Sequence, residues 1–425
     1  MKIRINNGRV LNPSTQMDVV ADILIENNCI VNITSRMEDV PVDKVIDATN
    51  CYVMPGLIDL HVHLRDPGLT YKETLETGTK AAAKGGFTTI VAMANTKPII
   101  DDGEKLKSVL EAARISSPIQ VLQVGSVTKN LEGKVLTSAK ELKEAGAIAL
   151  SEDGKTVMDA ELFRQALQQA KKENLVVLAH CEDEQMKGSG VIHEGETAKK
   201  LNLKGISNAV EDVIIARDIL LAKEVGARLH ICHCTTADGV KMIALAKNNN
   251  LPITAEVCPH HFTLTDEDIV PGDSNYKMAP PLRSGKNVQA MIQGLQDGSI
   301  DVIATDHAPH ATHEKTEDLV KAAFGIVGLE TAVSLVITEL VRPGLLTPLQ
   351  MAEKMSYNPA QILGLPKGEL QIGKGADITI IDPHAAYTID KETFVSMGKN
   401  TPFHGRKVFG QVKTTIYQGR VVYEK

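Results

Sequence analysis

The residues able to do chemistry in this chain stand where apolar runs end. The mostly apolar stretch Tyr52 to Leu60 leads into His61-Val62-His63-Leu64-Arg65. Residues two apart in a β-strand share a face, so His61, His63 and Arg65 can project together from one strand end. Two imidazoles on one face make half of a zinc site, and a guanidinium beside them can hold a carboxylate. A lone His-x-His is also the pattern of two surface histidines in a turn, so the other run ends have to decide. The run Phe87 to Asn95 closes on Asn95, Ala147 to Asp153 on Asp153, Leu175 to His180 on His180, and Arg228 to His233 on His233. Asp301 to Asp306 closes on Asp306, with His307 and His310 just beyond. Four histidines and two aspartates in corresponding places point to a metal centre. They exceed what one tetrahedral zinc with an open water position would take, which suggests two ions. Ions about 3.5–4 Å apart need a bridging group, and Asp153 or Asp306 could supply it. Such a centre would lower the pKa of a bound water toward ~7 and polarise a carbonyl oxygen for attack.

The elements that must position these residues alternate in type. Eight apolar runs qualify as strands: Val53 to His63, Phe87 to Asn95, Ile119 to Ser126, Ala147 to Asp153, Leu175 to His180, Arg228 to His233, Pro252 to Val257 and Asp301 to Asp306. Stretches with apolar residues at three- and four-residue spacing, such as Asp159 to Lys172 and Asn208 to Val225, read as helices between them. Strands alternating with helices over this length predict an α/β fold, a (β/α)8 barrel with its chemistry at the C-terminal strand ends. A doubly wound open sheet is the alternative, but no Gly-x-Gly-x-x-Gly turn follows the first strand. The two chain ends differ from this pattern. Lys2-Ile3-Arg4-Ile5 and Ala21 to Ile25 near the start, and Ala376 to Ile381, Lys413 to Tyr417 and Arg420 to Tyr423 near the end, are strands joined by turns. They predict a small β-sandwich domain built from residues 1–52 and 370–425, with the catalytic barrel spanning 53–369.

Composition excludes several classes. The chain has 425 residues, 43% of them apolar, and a net charge of −7. That balance gives no reason to expect nucleic acid or an anionic membrane as partner. Neither a membrane-length apolar run nor a signal-peptide core is visible, so a cytoplasmic location is expected. The six cysteines include no Cys-x-x-Cys pair, and Cys232-x-Cys234 is too tight for a usual zinc knuckle. Reduced, buried thiols are expected.

The segments Gly56 to Gly68 and Ala304-Thr305-Asp306-His307-Ala308-Pro309-His310 resemble the two signatures of dihydroorotases in the amidohydrolase superfamily. The form His-Val-His-Leu-Arg-Asp-Pro-Gly is similar to the class I, bacterial-type members, and the likeness runs over nearly the whole chain. The resemblance implies a zinc-dependent cyclic amidohydrolase that reversibly interconverts N-carbamoyl-L-aspartate and L-dihydroorotate in pyrimidine synthesis. It implies two Zn2+ per subunit, with His61 and His63 on one, His180 and His233 on the other, and Asp153 as the bridge. Lys155, nearby but out of phase, is a rival for that bridge. Asp306 would ligate metal and shuttle the proton as the catalytic residue. His63, Arg65, Asn95 and His310 would surround the substrate, and Phe324-Gly325 would offer it a backbone contact. Ala279 departs from the family's frequent asparagine, so only its backbone can serve there. A homodimer is also implied. The polar run after His310 suggests a lid, and His260-His261 suggest structural roles. Allantoinase or a hydantoinase-type enzyme is the rival activity, with Arg65 as the discriminating residue. A catalytically silent scaffold bound to aspartate transcarbamoylase is the non-enzyme alternative.

Overall fold

Eight strand positions follow one another in parallel pairings in the computed structural model, which describes residues 1–38 and 40–425. The first three, Leu57–Val62, Phe87–Ala92 and Gln120–Gln123, pair in succession. The third continues past Val124 as Gly125–Ser126, which pairs with the fourth, Ala149–Ser151. Val176–Ala179, Leu229–Ile231, Ile253–Val257 and Val302–Ile303 complete the series. A parallel bridge from His307 back to Val62 joins the last position to the first. The first, second and fifth strands are buried at every residue. Parallel strands covered on both faces read this way, as continuous apolar runs without alternation.

Helices lie between the strands, and the sequence starts and stops them locally. Asp102, Asp159 and Thr236 each accept a backbone N–H at the head of a helix: Gly103–Ser116, Ala160–Lys172 and Ala237–Asn248. Ala160–Lys172 buries Phe163, Ala166, Leu167 and Ala170, the spacing of one helical face. Truncating Leu167 to alanine there would cost about 2–5 kcal/mol.

The run Val53 to His63 is not one strand. Tyr52–Pro55 pairs antiparallel with Ile378–Thr388, whereas Leu57–Val62 pairs with Phe87–Ala92. Gly56 is where the partner changes: its N–H donates to Asp377, and that of Leu57 donates to Gly86. An uninterrupted apolar run carries no mark of such an exchange. Around this crossing point, strands from both chain ends form one eight-stranded sheet. The sequence predicts a small β-sandwich built from both chain ends; their strands pair here in one sheet around a core that includes Ile3, Ile23, Val53, Ile378 and Ile416. Register shifts at Ile5/Gly8 and Asp382/Ala386 supply the bends. Between Ile378–Thr388 and Lys407–Tyr417 the chain leaves this sheet and packs on the loops at the parallel strand ends. There Met397 N–H (3.1 Å) and the Ser396 hydroxyl donate to Glu73. Among the described residues, no helix is long and apolar enough to cross a membrane.

Candidate metal centre and substrate pocket

The strand ends bring His61, His63, Asp153, His180, His233 and Asp306 together. One carboxylate lies among all four imidazoles. Asp153 Oδ1 is 3.2 Å from His61 Nε2, 3.4 Å from His180 Nδ1 and 3.5 Å from His233 Nε2. Its Oδ2 is 3.3 Å from His63 Nε2. Asp306 Oδ1 reaches His63 Nε2 at 3.0 Å and His61 Nε2 at 3.5 Å. Lys155 is exposed, while Asp153 is buried.

These donors fit a metal. The His61 Nδ1–H donates to Glu256 at 2.8 Å, which leaves the lone pair of Nε2 aimed at carboxylates. His61 Nε2 and Asp153 Oδ1 are buried and hydrogen-bonded to nothing. Buried polar atoms without partners are rare in folded chains, and opposed lone pairs call for a cation between them. The nitrogen and oxygen donors suit a borderline divalent ion.

A second layer of buried groups aims the first. Glu256 joins His61 to His230 (3.1 Å), which in turn contacts Thr254 Oγ1 at 2.8 Å. The His233 N–H also donates to Glu256, at 3.3 Å. Carboxylates behind ligating histidines fix tautomer and ring orientation. Glu182 plays the same part for His180 Nε2 at 3.5 Å and pairs with Lys187 at 2.5 Å. Asp59 ties the first strand to the eighth, accepting from the N–H groups of His61 and Thr305, each at 3.1 Å. Three site residues hold left-handed backbone: Arg65 (φ +61), His233 (φ +33) and Asp306 (φ +48). Each costs about 1–3 kcal/mol unless the surroundings impose it, and such strain collects at functional sites.

Five of the six, all but His61, line a cavity of about 240 Å3 whose other wall holds Arg65, Asn95, Ala279, His310, Phe324 and Gly325. The Arg65 Nε–H donates to Pro309 O (3.2 Å), and Nη2 lies 3.4 Å from His310. His310 donates from Nε2 to Phe324 O at 2.9 Å. Asn95 approaches both halves, 2.9 Å from His63 Nδ1 and donating to Asp153 O at 3.3 Å. Gly325 has φ +119, and a Cβ there would meet that of Ala308 at 2.7 Å, so only glycine lets the loop return this close.

The polar run after His310 is anchored from inside. Lys277 Nζ donates to Leu319 O (2.6 Å), Val320 O (3.1 Å) and Ala322 O (2.6 Å). Lys315 Nζ donates to Lys277 O (3.3 Å), Ala323 O (2.9 Å) and Gly325 O (3.0 Å). The Phe324 ring lies between Lys277 and Lys187, whose ammonium groups are 4.2 and 4.6 Å from its centre.

Charge is partitioned across the pocket. Burial alone would push the Asp153 carboxyl up; the His61 charge and the close approach of the His180 and His233 imidazoles hold it well below the usual carboxylate range. Asp306 is held low in the same way, by His61, His63 and His233. Burial would lower His61, but Asp153 and Asp306 raise it well above an ordinary imidazole. On the opposite wall, burial together with Arg65, Lys72 and Lys315 pushes His310 down to about 3. His260 is pushed by burial to about 4, and His261, donating to Pro280 O at 3.0 Å, lies well below its usual value. Both stay neutral inside the fold.

The expected ligands and substrate contacts therefore line one cavity, except His61, which lies beneath it; Lys155, His260, His261 and His307 do not line it. The sequence reading missed Glu256, Asp59, Glu182, Lys187 and Lys277. Glu256 and Asp59 did leave a signal, as single acidic residues inside otherwise apolar strands.

Known proteins are similar to this chain in sequence and in fold. A family model described as dihydro-orotase-like matches residues 51–239. The dihydroorotase of Pelotomaculum thermopropionicum is 48% identical over 424 residues, covering 100% of this chain and 99% of its own. That of Syntrophus aciditrophicus is 45% identical over 426 residues, covering 100% of each chain. Among solved structures, the L-hydantoinase (dihydropyrimidinase) from Arthrobacter aurescens matches with a TM-score of 0.90 at 28% identity, over 100% of this chain and 96% of that one. The dihydropyrimidinase from Brevibacillus agri gives 0.85 at 27% identity, over 100% and 95%.

Proposed function

The chain belongs to the dihydroorotase family of cyclic amidohydrolases, and from that premise we propose that it interconverts N-carbamoyl-L-aspartate and L-dihydroorotate in pyrimidine synthesis. One observation carries the reading: the His/Asp cluster and Arg65 face the same cavity, so ring chemistry and carboxylate recognition share one site. The parallel series closed by the His307–Val62 bridge supports a (β/α)8 barrel over 53–369. The strands of 1–52 and 370–425 form the smaller domain, and Tyr52–Pro55 is where the chain crosses between the two.

His61 and His63 would hold one zinc ion, His180 and His233 a second, and Asp153 both. When bound, the pair supplies the positive charge that makes water nucleophilic at neutral pH and polarises a carbonyl. Asp306, kept ionised by the neighbouring imidazoles, takes the proton of the attacking water during ring opening and delivers it to the leaving ring nitrogen. In cyclisation it takes the proton from the ring-closing nitrogen and passes it to the departing oxygen, with the further proton needed to release water drawn from solvent. Ring opening creates a carboxylate, so falling pH favours cyclisation. Arg65, Asn95 and His310, with the backbone of Ala279, hold the ring carboxylate, and the backbone of Phe324 and Gly325 faces the ring amide. Hydantoin and allantoin lack that carboxylate, which is why Arg65 separates this reading from its rivals.

The same reading goes with a cytoplasmic, class I homodimer; sedimentation of the protein alone tests the dimer, and sedimentation in mixture with aspartate transcarbamoylase tests an association with that enzyme. For the activity, metal content and turnover in both directions are measured before and after chelation. About two zinc ions per chain, with turnover lost on chelation and restored by zinc, is the expected result. A zinc-loaded protein without turnover would contradict the reading and favour a scaffold.

A further inference from the structure

We propose that Asn400, carried on the excursion 389–406 between two C-terminal strands, is a positioning residue that holds the carboxylate-binding wall of the pocket in place. The inference rests on the reading of that wall given above. Asn400 is 4% exposed and directs its carboxamide and its carbonyl to the loop that leaves the eighth strand and returns to it. Its Oδ1 accepts from the His310 N–H at 3.1 Å. Its Nδ2 donates to Ala308 O at 3.0 Å and to Gly325 O at 3.1 Å. Its own carbonyl accepts from the Val327 N–H at 2.9 Å. The outgoing arm, 308–310, and the returning arm, 325–327, are thus bolted to one side chain. Four residues of the wall meet at those arms: Arg65 donates to Pro309, His310 donates to Phe324, and Gly325 abuts Ala308.

The position demands one acceptor and two donors in a plane, which a carboxamide supplies and a carboxylate does not. Asp at 400 would keep an acceptor for the His310 N–H but turn its second oxygen toward the carbonyls of Ala308 and Gly325, repelling both and leaving Gly325 O to Lys315. The segment carrying Asn400 sits at close range by construction. A Cβ on Gly398 would lie 2.7 Å from Pro309 Cβ, 2.8 Å from Val327 Cγ1 and 2.9 Å from Asn400 Oδ1. None of the hydrogen bonds of Asn400 goes to His61, His63, Asp153, His180, His233 or Asp306, so its loss should disturb substrate binding and spare the metal.

The test compares full-length, zinc-loaded wild type with Asn400→Ala, Asn400→Asp, Gly398→Ala and Arg65→Met, and adds the double variant Arg65→Met/Asn400→Ala. Both Asn400 variants should raise KM for dihydroorotate about 10-fold with kcat changed less than about 3-fold and zinc content unchanged. Gly398→Ala, which pushes the segment without removing its hydrogen-bonding groups, should raise KM about 3-fold. In the Arg65→Met background, Asn400→Ala should add less than about 2-fold, because the contact it positions is already gone. Wild-type KM in both Asn400 variants, a fall confined to kcat or zinc content, or full additivity with Arg65→Met would overturn the inference. If Arg65→Met itself leaves KM unchanged, the carboxylate reading fails, and the role of Asn400 with it.

Discussion

The half of the site proposed to hold metal draws its six side chains from the ends of five parallel strands, whereas the half proposed to hold the substrate carboxylate hangs from loops and borrows Asn400 from near the C-terminus. In the first half, strand register sets the geometry, and buried carboxylates such as Glu256 refine it. In the second, side chains bonded to backbone do the positioning: Asn400 at the base of the loop, Lys277 and Lys315 along its length. The difference teaches where each kind of damage should appear. Changes on the strands should strike chemistry and metal together, and changes on the loops should strike substrate affinity.

The most severe break is expected at Asp306. Asp306→Asn removes the proton carrier and should lower turnover by about 10³–10⁴-fold in both directions. Steady-state rates of ring opening and cyclisation check this, and activity above a tenth of wild type would sink the assignment. Glu256→Gln comes next. The side chain keeps its shape but loses the charge behind His61, and zinc affinity should fall about 10- to 100-fold. Competition with a chelator of known affinity measures it; unchanged affinity would mean that register alone orients His61.

The smallest effect sharpens the other half. Burial and the cations Arg65, Lys72 and Lys315 push His310 to about 3, so its neutral form prevails from about pH 5 to 8. An ordinary imidazole would lose a positive charge across that window and weaken anion binding as pH rose. His310 has no such charge to lose, so KM for dihydroorotate should show no break near pH 6.5. A rise in KM through that pH which disappears in His310→Gln would contradict the neutral assignment.

The same division decided what the sequence could disclose. His61, His63, Asp153, His180, His233 and Asp306 each follow an apolar run, because a parallel strand buried on both faces must be apolar until the chain emerges into the pocket. Alternation of such runs with helical periodicity carries the architecture too. Asn400 is invisible by comparison: it lies 90 residues from His310, and nothing in Lys399-Asn400-Thr401 distinguishes it from a surface turn. Lys277 and Lys315 read as solvated charges, yet both point inward to carbonyls, a role that depends on the path of a loop. The split at Gly56 escaped for the opposite reason, since both of its strands are apolar and only their partners differ.

The most direct test of the central claim, that one pocket joins metal chemistry to carboxylate recognition, follows ring opening of L-dihydroorotate by ultraviolet absorbance. Dihydrouracil, hydantoin and allantoin run in parallel, and wild type runs beside Arg65→Met with bound zinc counted in each. Turnover confined to dihydroorotate, and reduced about 100-fold or more in kcat/KM by Arg65→Met at unchanged zinc content, is the predicted result. Comparable turnover of the rings that lack a carboxylate, or an Arg65→Met variant as active as wild type, would contradict it.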